Sequence, residues 1–475
     1  MTRSATTVTT AVSRSAPVPD AQTLSERLAA WGAGLSPSDV PEAMREKTEA
    51  ILIDVVGLCL AARDTDYVES VRRAAEPGRH VAIGHRQRLT AADAALLNGT
   101  AAHGEDFDDT FEGGPVHSGA VVVPAVLAAA EREGLSGERM LLGIAAGTEL
   151  LCRLGLVAPK AIHRAGFHPT AVLGALAAAF GVGVALGADA KALKETLGIA
   201  GSTASGIIEY LGDGSSTKRM HAGWAAQSGL RSAFMGRAGF HGPRAVLEGE
   251  HGFFKAFAPS VVPMFDKLFD GLGHRWIAET ITFKPYPCGT MVQPYIDCAI
   301  RLRAGGLPLS EIAGIHCLTS DGYVHRLWEP LDMKRRPPTA YAAKFSIPFG
   351  VALGLSRGRA GLADFSDAAI GDPDLLALSK LVTYEVDLAD PYPARFTGHV
   401  RIALRDGRVF EERQGHMRGG VDEPLSRAEV HAKFLANARY GGIAQPERIL
   451  AACGALLAGG AADLSSLAAE PEGVA

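Results

Sequence analysis

The chain has 475 residues, 47% of them apolar and 21% charged, with a formal net charge of −5. That length exceeds what one hydrophobic core ordinarily supports and predicts two domains. The acidic balance excludes broad nucleic-acid binding, which needs basic surface to displace counterions, so any anionic ligand has to be held by local positive charge.

In chain order, residues 1–21 are rich in Ser, Thr, Pro and Ala, with no apolar run of signal-peptide length, and read as a disordered tail. From 22 to 268 apolar residues recur at helical spacing between Gly, Pro, Asp and Ser breaks, which predicts an all-α domain. Its helices are rich in Ala and Gly, as in VLGALAAAFGVGVALG at 172–187, a composition that lowers helix propensity and is tolerated in a tight bundle. The apolar run at 51–62 is interrupted by Asp54 and falls far short of the roughly 20 residues of a membrane span, so no membrane segment is expected.

The pattern changes beyond 268. Residues 315–329, 381–393 and 397–416 alternate apolar and polar side chains and read as antiparallel strands, with Arg405-Asp406-Gly407-Arg408 as a hairpin turn. Helical patterns at 292–304 and 340–356 lie among them, so 269–439 reads as a smaller α+β domain. A helix within 440–460 is expected to pack back onto the first domain, and 461–475 to be a disordered tail. The six cysteines, Cys59, Cys152, Cys288, Cys298, Cys317 and Cys453, form no CxxC pair, which disfavours a disulfide framework or a zinc site and predicts reduced thiols in a cytoplasmic protein.

Three basic residues stand in Gly/Ser/Thr-rich breaks just before long helical patterns: His117, His168 and Lys218. A helix N-terminus already carries partial positive charge and unpaired N–H groups, so cations and imidazoles gathered there predict a pocket for an acidic small molecule. The densest polar stretch, residues 98–117, supplies His103, Glu105, Asp106, Asp108, Asp109, Glu112 and His117. Single carboxylates in such a loop ordinarily cap helices or face solvent, and the spacing of a calcium loop is not met, so no metal is expected. In Gly166-Phe167-His168-Pro169 the proline fits a first helical turn and leaves His168 at the N-cap as a neutral imidazole near pH 7. His163, His221 and His241 are expected to be structural or supporting. The stretch 284–298 enters a helix carrying Gln293 and Asp297. No GxSxG elbow, GxxxxGK[ST] loop or GxGxxG after a strand is present, so hydrolase, nucleotide and dinucleotide motifs are missing.

Taken together, NGTAAHGEDFDDT and VHSGAVVVPAVLA, GFHPTAVLGALAAA, STKRMHAGWAAQSGL, KPYPCGTMVQPYID and AAKFSIPFGVALGL resemble the MmgE/PrpD family over roughly residues 22–460. That family contains 2-methylcitrate dehydratase, cis-aconitate decarboxylase and an iminodisuccinate epimerase. The resemblance implies a mainly α fold, a large all-α domain with a smaller α+β lid, assembled as a homodimer. It implies a small di- or tricarboxylate substrate and no cofactor. Carried over by motif, it implies Asp106, His117, His168 and Lys218 as catalytic residues, with Gln293 and Tyr323 at the substrate, where His103 of the polar stretch is also expected. Gln293 stands where decarboxylase-like members have His, as in the methylcitrate-dehydratase branch. The expected activity is that of a lyase, dehydratase or decarboxylase. The alternatives are an epimerase working by deprotonation and reprotonation, and a non-catalytic carboxylate-binding protein of the same fold.

Overall fold

The computed structural model describes residues 22–114, 116–460 and 463–468. The expected tail at 1–21 lies outside the described residues. The fold is mainly α, with two hydrophobic cores, one built largely from residues before 284 and one from the second half.

In the first core the long helices are Glu42–Ala62, Ala91–His103, Gly119–Glu133, Gly137–Val157, Pro169–Ala185, Ala190–Thr203 and Thr217–Arg237. Several starts are fixed locally: Thr90, Ser136 and Asp189 accept hydrogen bonds from the backbone N–H groups of their own first turns. The Gly137–Val157 helix is long and apolar enough to cross a membrane by length and composition, yet it is almost wholly buried among its neighbours. Glycines set how closely the helices approach. Where Ala91–His103 crosses Thr217–Arg237, a Cβ on Gly223 would stand 2.0 Å from the Leu96 carbonyl oxygen, and one on Gly99 would stand 2.6 Å from Gly223 Cα. This backbone contact brings the C-terminal end of one helix, at His103, and the N-terminal end of the other, at Lys218, to the same side of the bundle. One departure from an all-α domain is a small antiparallel pair, β1 (Pro77–Val81) with β2 (Arg88–Leu89).

The lid sheet contains β3 (Ile312–Thr319), β4 (Val382–Val386), β5 (Gly398–Leu404) and β6 (Val409–Gln414), in the order β4-β3-β5-β6. β5 and β6 form the hairpin expected around Asp406-Gly407, but β3 pairs β4 in parallel. The intervening helices, among them Ile347–Arg357 and Pro373–Lys380, make the crossover that a parallel pair requires. The strand expected over 315–329 ends at Thr319, and 321–328 winds into helical turns instead.

Some side chains within the expected 269–439 lid pack in the first core. Leu268, Trp276, Ala278, Ile281 and Phe283 belong to the first core. The buried Arg153, paired with Glu149 at 2.6 Å, clips this crossover down through the carbonyls of Leu268, Asp270 and Arg275. The Arg427–Tyr440 helix also leaves the lid, seating Val430, Phe434 and Ala438 in the first core, and Pro446–Leu456 follows it there. Within the expected tail at 461–475, Leu464 and Leu467 are buried in that core, while 461–462 and 469–475 lie outside the described residues.

Candidate active site

The acidic loop after the Ala91–His103 helix organises the site, and four lysines from distant parts of the chain hold it. Lys218 Nζ bridges both carboxylate oxygens of Asp106 at 2.8 and 2.6 Å. Lys284 donates to the Asp106 carbonyl at 2.8 Å, and its ammonium lies 3.6 Å from Asp106 Oδ1 and 4.0 Å from Asp108 Oδ1. Lys344, from the lid, donates to the Glu105 carbonyl at 2.8 Å and pairs with the Glu105 carboxylate. Lys433 donates to the Phe107 carbonyl at 2.7 Å while paired with the buried Asp54 at 2.8 Å. Thus each of the three successive carbonyls, 105 to 107, accepts from an ammonium. Asp106 itself takes φ 56°, in the left-handed region that Asp tolerates better than most residues.

Around this loop stand four imidazoles. The His103 ring lies 5.1 Å from that of His117 and 5.5 Å from that of His168, and His168 lies 5.4 Å from His221. Asp108 accepts from His103 Nδ1 at 2.7 Å, and His103 Nε2 is buried without a hydrogen-bond partner among the described residues. His117 Nδ1 donates to the Asp109 carbonyl at 2.6 Å, with Thr110 Oγ1 at 2.9 Å, so its Nε2 is likewise the nitrogen free for a ligand. His168 is the N-cap residue of Pro169–Ala185, its Nδ1 3.2 Å from His221 Nδ1, with the Tyr210 ring packed on both.

The anion places anticipated at the helix starts are partly taken by the protein's own carboxylates. Asp109 accepts from Ser118 N, Ser118 Oγ and Gly119 N at 3.0, 2.7 and 2.8 Å, capping Gly119–Glu133, and Asp106 neutralises Lys218. The imidazoles beside the Lys218 ammonium are not helix-capped by a carboxylate in this way.

Electrostatics follow from burial and neighbours. Burial opposes ionisation of Asp106, but the Lys218 and Lys284 ammoniums overcome it and hold the carboxyl well below the usual range. Asp108 is held low in the same way, against burial, by His103 and His117. Burial raises Asp109, with the Asp108 charge adding to it, to about 6. Burial drives His117 down to about 3 and His221 to about 4, with His103 and Lys218 adding repulsion in both cases, and it takes His168 well below its ordinary value. Burial therefore keeps His117, His168 and His221 neutral at pH 7.

The lid closes over this cluster through Tyr341, whose hydroxyl donates to Asp106 Oδ2 at 2.9 Å. Burial, reinforced by the Asp106 charge, holds that hydroxyl well above its ordinary range, so it stays a donor. Of the residues expected from sequence, Asp106, His117, His168, Lys218 and His103 come together here. Tyr323 does not join them: it is buried in the lid core against Tyr392, 4.9 Å between rings, and its hydroxyl has no partner among the described residues. Gln293 is buried at the start of the Gln293–Ala304 helix, donates to the Cys288 carbonyl at 3.4 Å and leaves Oε1 unpartnered, and none of its hydrogen bonds reaches the imidazoles or lysines. The local sequence pattern assigns no role to Lys284, Lys344 and Tyr341, and His221 stands against His168. Lys284 and Lys344 stand in the recognised KPYPCG and AAKFS blocks, as cations in otherwise apolar surroundings, and that is the signal that marks them. Among the described residues, no group of three or more His, Cys, Asp or Glu is arranged to hold a metal ion.

Two family models match the chain: the MmgE/PrpD N-terminal domain over residues 26–264 and the MmgE/PrpD C-terminal domain over residues 286–456. The chain belongs to the MmgE/PrpD family. Among curated proteins it is similar to the cis-aconitate decarboxylase of Aspergillus terreus, 29% identical over 437 residues, covering 85% of this chain and 87% of the relative. It is also similar to the cis-aconitate decarboxylases of Mus musculus and Homo sapiens. These are 29% and 27% identical, covering 74% of this chain in each case and 72% and 73% of the relatives.

Proposed function

We propose that this chain is a lyase acting on a small polycarboxylate by proton transfer at a carbon next to a carboxylate, and that it releases carbon dioxide from a cis-aconitate-like tricarboxylate. The observation that carries the reading is the convergence of Lys218 with the His103, His117 and His168 imidazoles, of which His103 Nε2 is buried without a hydrogen-bond partner among the described residues. The similarity to cis-aconitate decarboxylases supports the choice of substrate and bond.

In this reading Lys218 and the imidazoles receive the substrate carboxylates, and their preorganised charge stabilises the electron density that develops in the transition state. When the C–CO₂⁻ bond breaks, its electron pair stays on carbon and spreads into the remaining conjugated carboxylate. His117 Nε2, protonated once the anion is bound, delivers a proton to that carbon. One carbon dioxide leaves and one proton enters, and solvent restores the proton to the imidazole. Asp108 keeps His103 in a single tautomer, and Tyr341 keeps Asp106 in place over Lys218. Such a positioned acid contributes typically 10²- to 10⁴-fold.

The test is incubation of the protein with cis-aconitate, citrate, 2-methylcitrate and a saturated dicarboxylate in D₂O, followed by NMR. Carbon dioxide release with one deuterium incorporated supports the proposal. Loss of water from a hydroxy acid would replace it with dehydration, and deuterium exchange without elimination would replace it with epimerisation.

A further inference from the structure

Arg219 sits next to Lys218 in sequence, yet the proposed chemistry gives it no role. Its guanidinium is clamped between two tyrosines from the two halves of the molecule, 4.7 Å from the Tyr67 ring centroid and 4.5 Å from that of Tyr341. Stacking of this kind orients the planar fork and leaves its edge N–H groups for a ligand. Among the described residues those donors are nearly unused: Nε is buried without a hydrogen-bond partner, and NH1 reaches Ser216 Oγ at 3.4 Å. The nearby carboxylate that would ordinarily pair with it is already engaged, since Glu105 binds Lys344 and accepts from the Tyr67 hydroxyl at 2.9 Å. The same Tyr341 whose ring face Arg219 covers donates its hydroxyl to Asp106, so the guanidinium lies one ring's width from the Asp106–Lys218 pair.

We propose that Arg219 binds a carboxylate of the substrate remote from the reacting carbon, and that it thereby selects tricarboxylates over dicarboxylates. This rests on the polycarboxylate reading above. A guanidinium held by two rings and without a direct ion pair among the described residues meets a carboxylate with two parallel N–H donors, the geometry in which Arg exceeds Lys. Tyr67 and Tyr341 come from the helical domain and the lid respectively, so the fork is formed only when the lid is seated. Recognition of the third carboxylate is then linked to closure.

The test uses two unreactive acids of equal chain length, propane-1,2,3-tricarboxylate and glutarate, which differ by one carboxylate. Isothermal titration is made on the wild type, Arg219→Gln, Arg219→Lys and Lys218→Met, with thermal melts to establish that each variant is folded. The wild type is expected to prefer the tricarboxylate by about 10-fold or more, the range of a charge-assisted hydrogen-bonded pair. Arg219→Gln should bring the two acids within about threefold while leaving glutarate affinity close to wild type, and Arg219→Lys should retain only part of the preference. Full preference in Arg219→Gln overturns the inference while leaving the polycarboxylate reading intact. Equal loss of both acids in Arg219→Gln also overturns it, since that is general attraction rather than selection. Wild type that binds neither acid overturns the polycarboxylate reading and this inference with it.

Discussion

Replacing Lys218 by Met probes the pair on which the loop depends. Asp106 is 4% exposed, and the ammonium contacts both of its oxygens, at 2.8 and 2.6 Å. Breaking a buried pair from one side strands the other charge and costs about 3–5 kcal/mol. Here the Tyr341 hydroxyl at 2.9 Å and Lys284 at 3.6 Å remain, which places Lys218→Met near the lower end, about 3 kcal/mol. Asp106→Asn added to Lys218→Met removes the stranded charge and should recover about 2 kcal/mol of that loss, a coupling within the range found for contacting residues. The double variant should nevertheless turn over no faster than Lys218→Met. Urea unfolding of the wild type, both single variants and the double variant at pH 7.5 measures the cycle. A double variant no more stable than Lys218→Met, or a Lys218→Met protein within 0.5 kcal/mol of wild type (on the order of a neutral surface change), would refute the reasoning.

Three other outcomes follow from the same geometry. Gly223→Ala forces a methyl group against the Leu96 carbonyl, so the helices carrying His103 and Lys218 must separate; the expected cost is about 1–3 kcal/mol or more, with loss of activity, read by thermal melting and turnover. Polycarboxylate binding should take up protons: a carboxylate about 4 Å from His117 at an effective dielectric of about 20 contributes roughly 4 kcal/mol, or about 3 pKa units, bringing it from about 3 to near 6. Titration at pH 6 in buffers of different ionisation enthalpy should therefore show net uptake, and release would contradict the assignment. For stability, the folded value of His117 lies below its ordinary 6.5, so the unfolded chain binds the proton first as pH falls. This share of stability is intact above about 6.5 and is lost below it, about 1.4 kcal/mol by pH 5.5. His117→Gln should reduce the difference in unfolding free energy between pH 7.5 and 5.5 by about that amount.

Much of the site was legible in the sequence because it depends on residue types at local positions. A proline after His168, small residues after His117 and a polar break before Lys218 mark helix starts. What was hidden depends on tertiary pairing. Tyr341 reaches Asp106 across 235 residues and Lys284 reaches its carbonyl across 178, and no local pattern encodes either contact. Tyr323, placed at the substrate by resemblance, turns into the lid core as the chain leaves β3 in helical turns. Alternation identified the strands but not their partners, so the parallel β3–β4 pair was missed. Likewise the periodicity of 427–440 identifies a helix without saying which of two cores receives Phe434.

The central claim, that Lys218 and the surrounding imidazoles release carbon dioxide from a tricarboxylate, is tested most directly by measuring carbon dioxide evolved from cis-aconitate by the wild type and by Lys218→Met. The account predicts turnover by the wild type and a loss of about 10²- to 10³-fold in the variant, the scale of removing one preorganised charge-stabilising donor. Wild-type protein that evolves none, or a variant that evolves it at the wild-type rate, would contradict it.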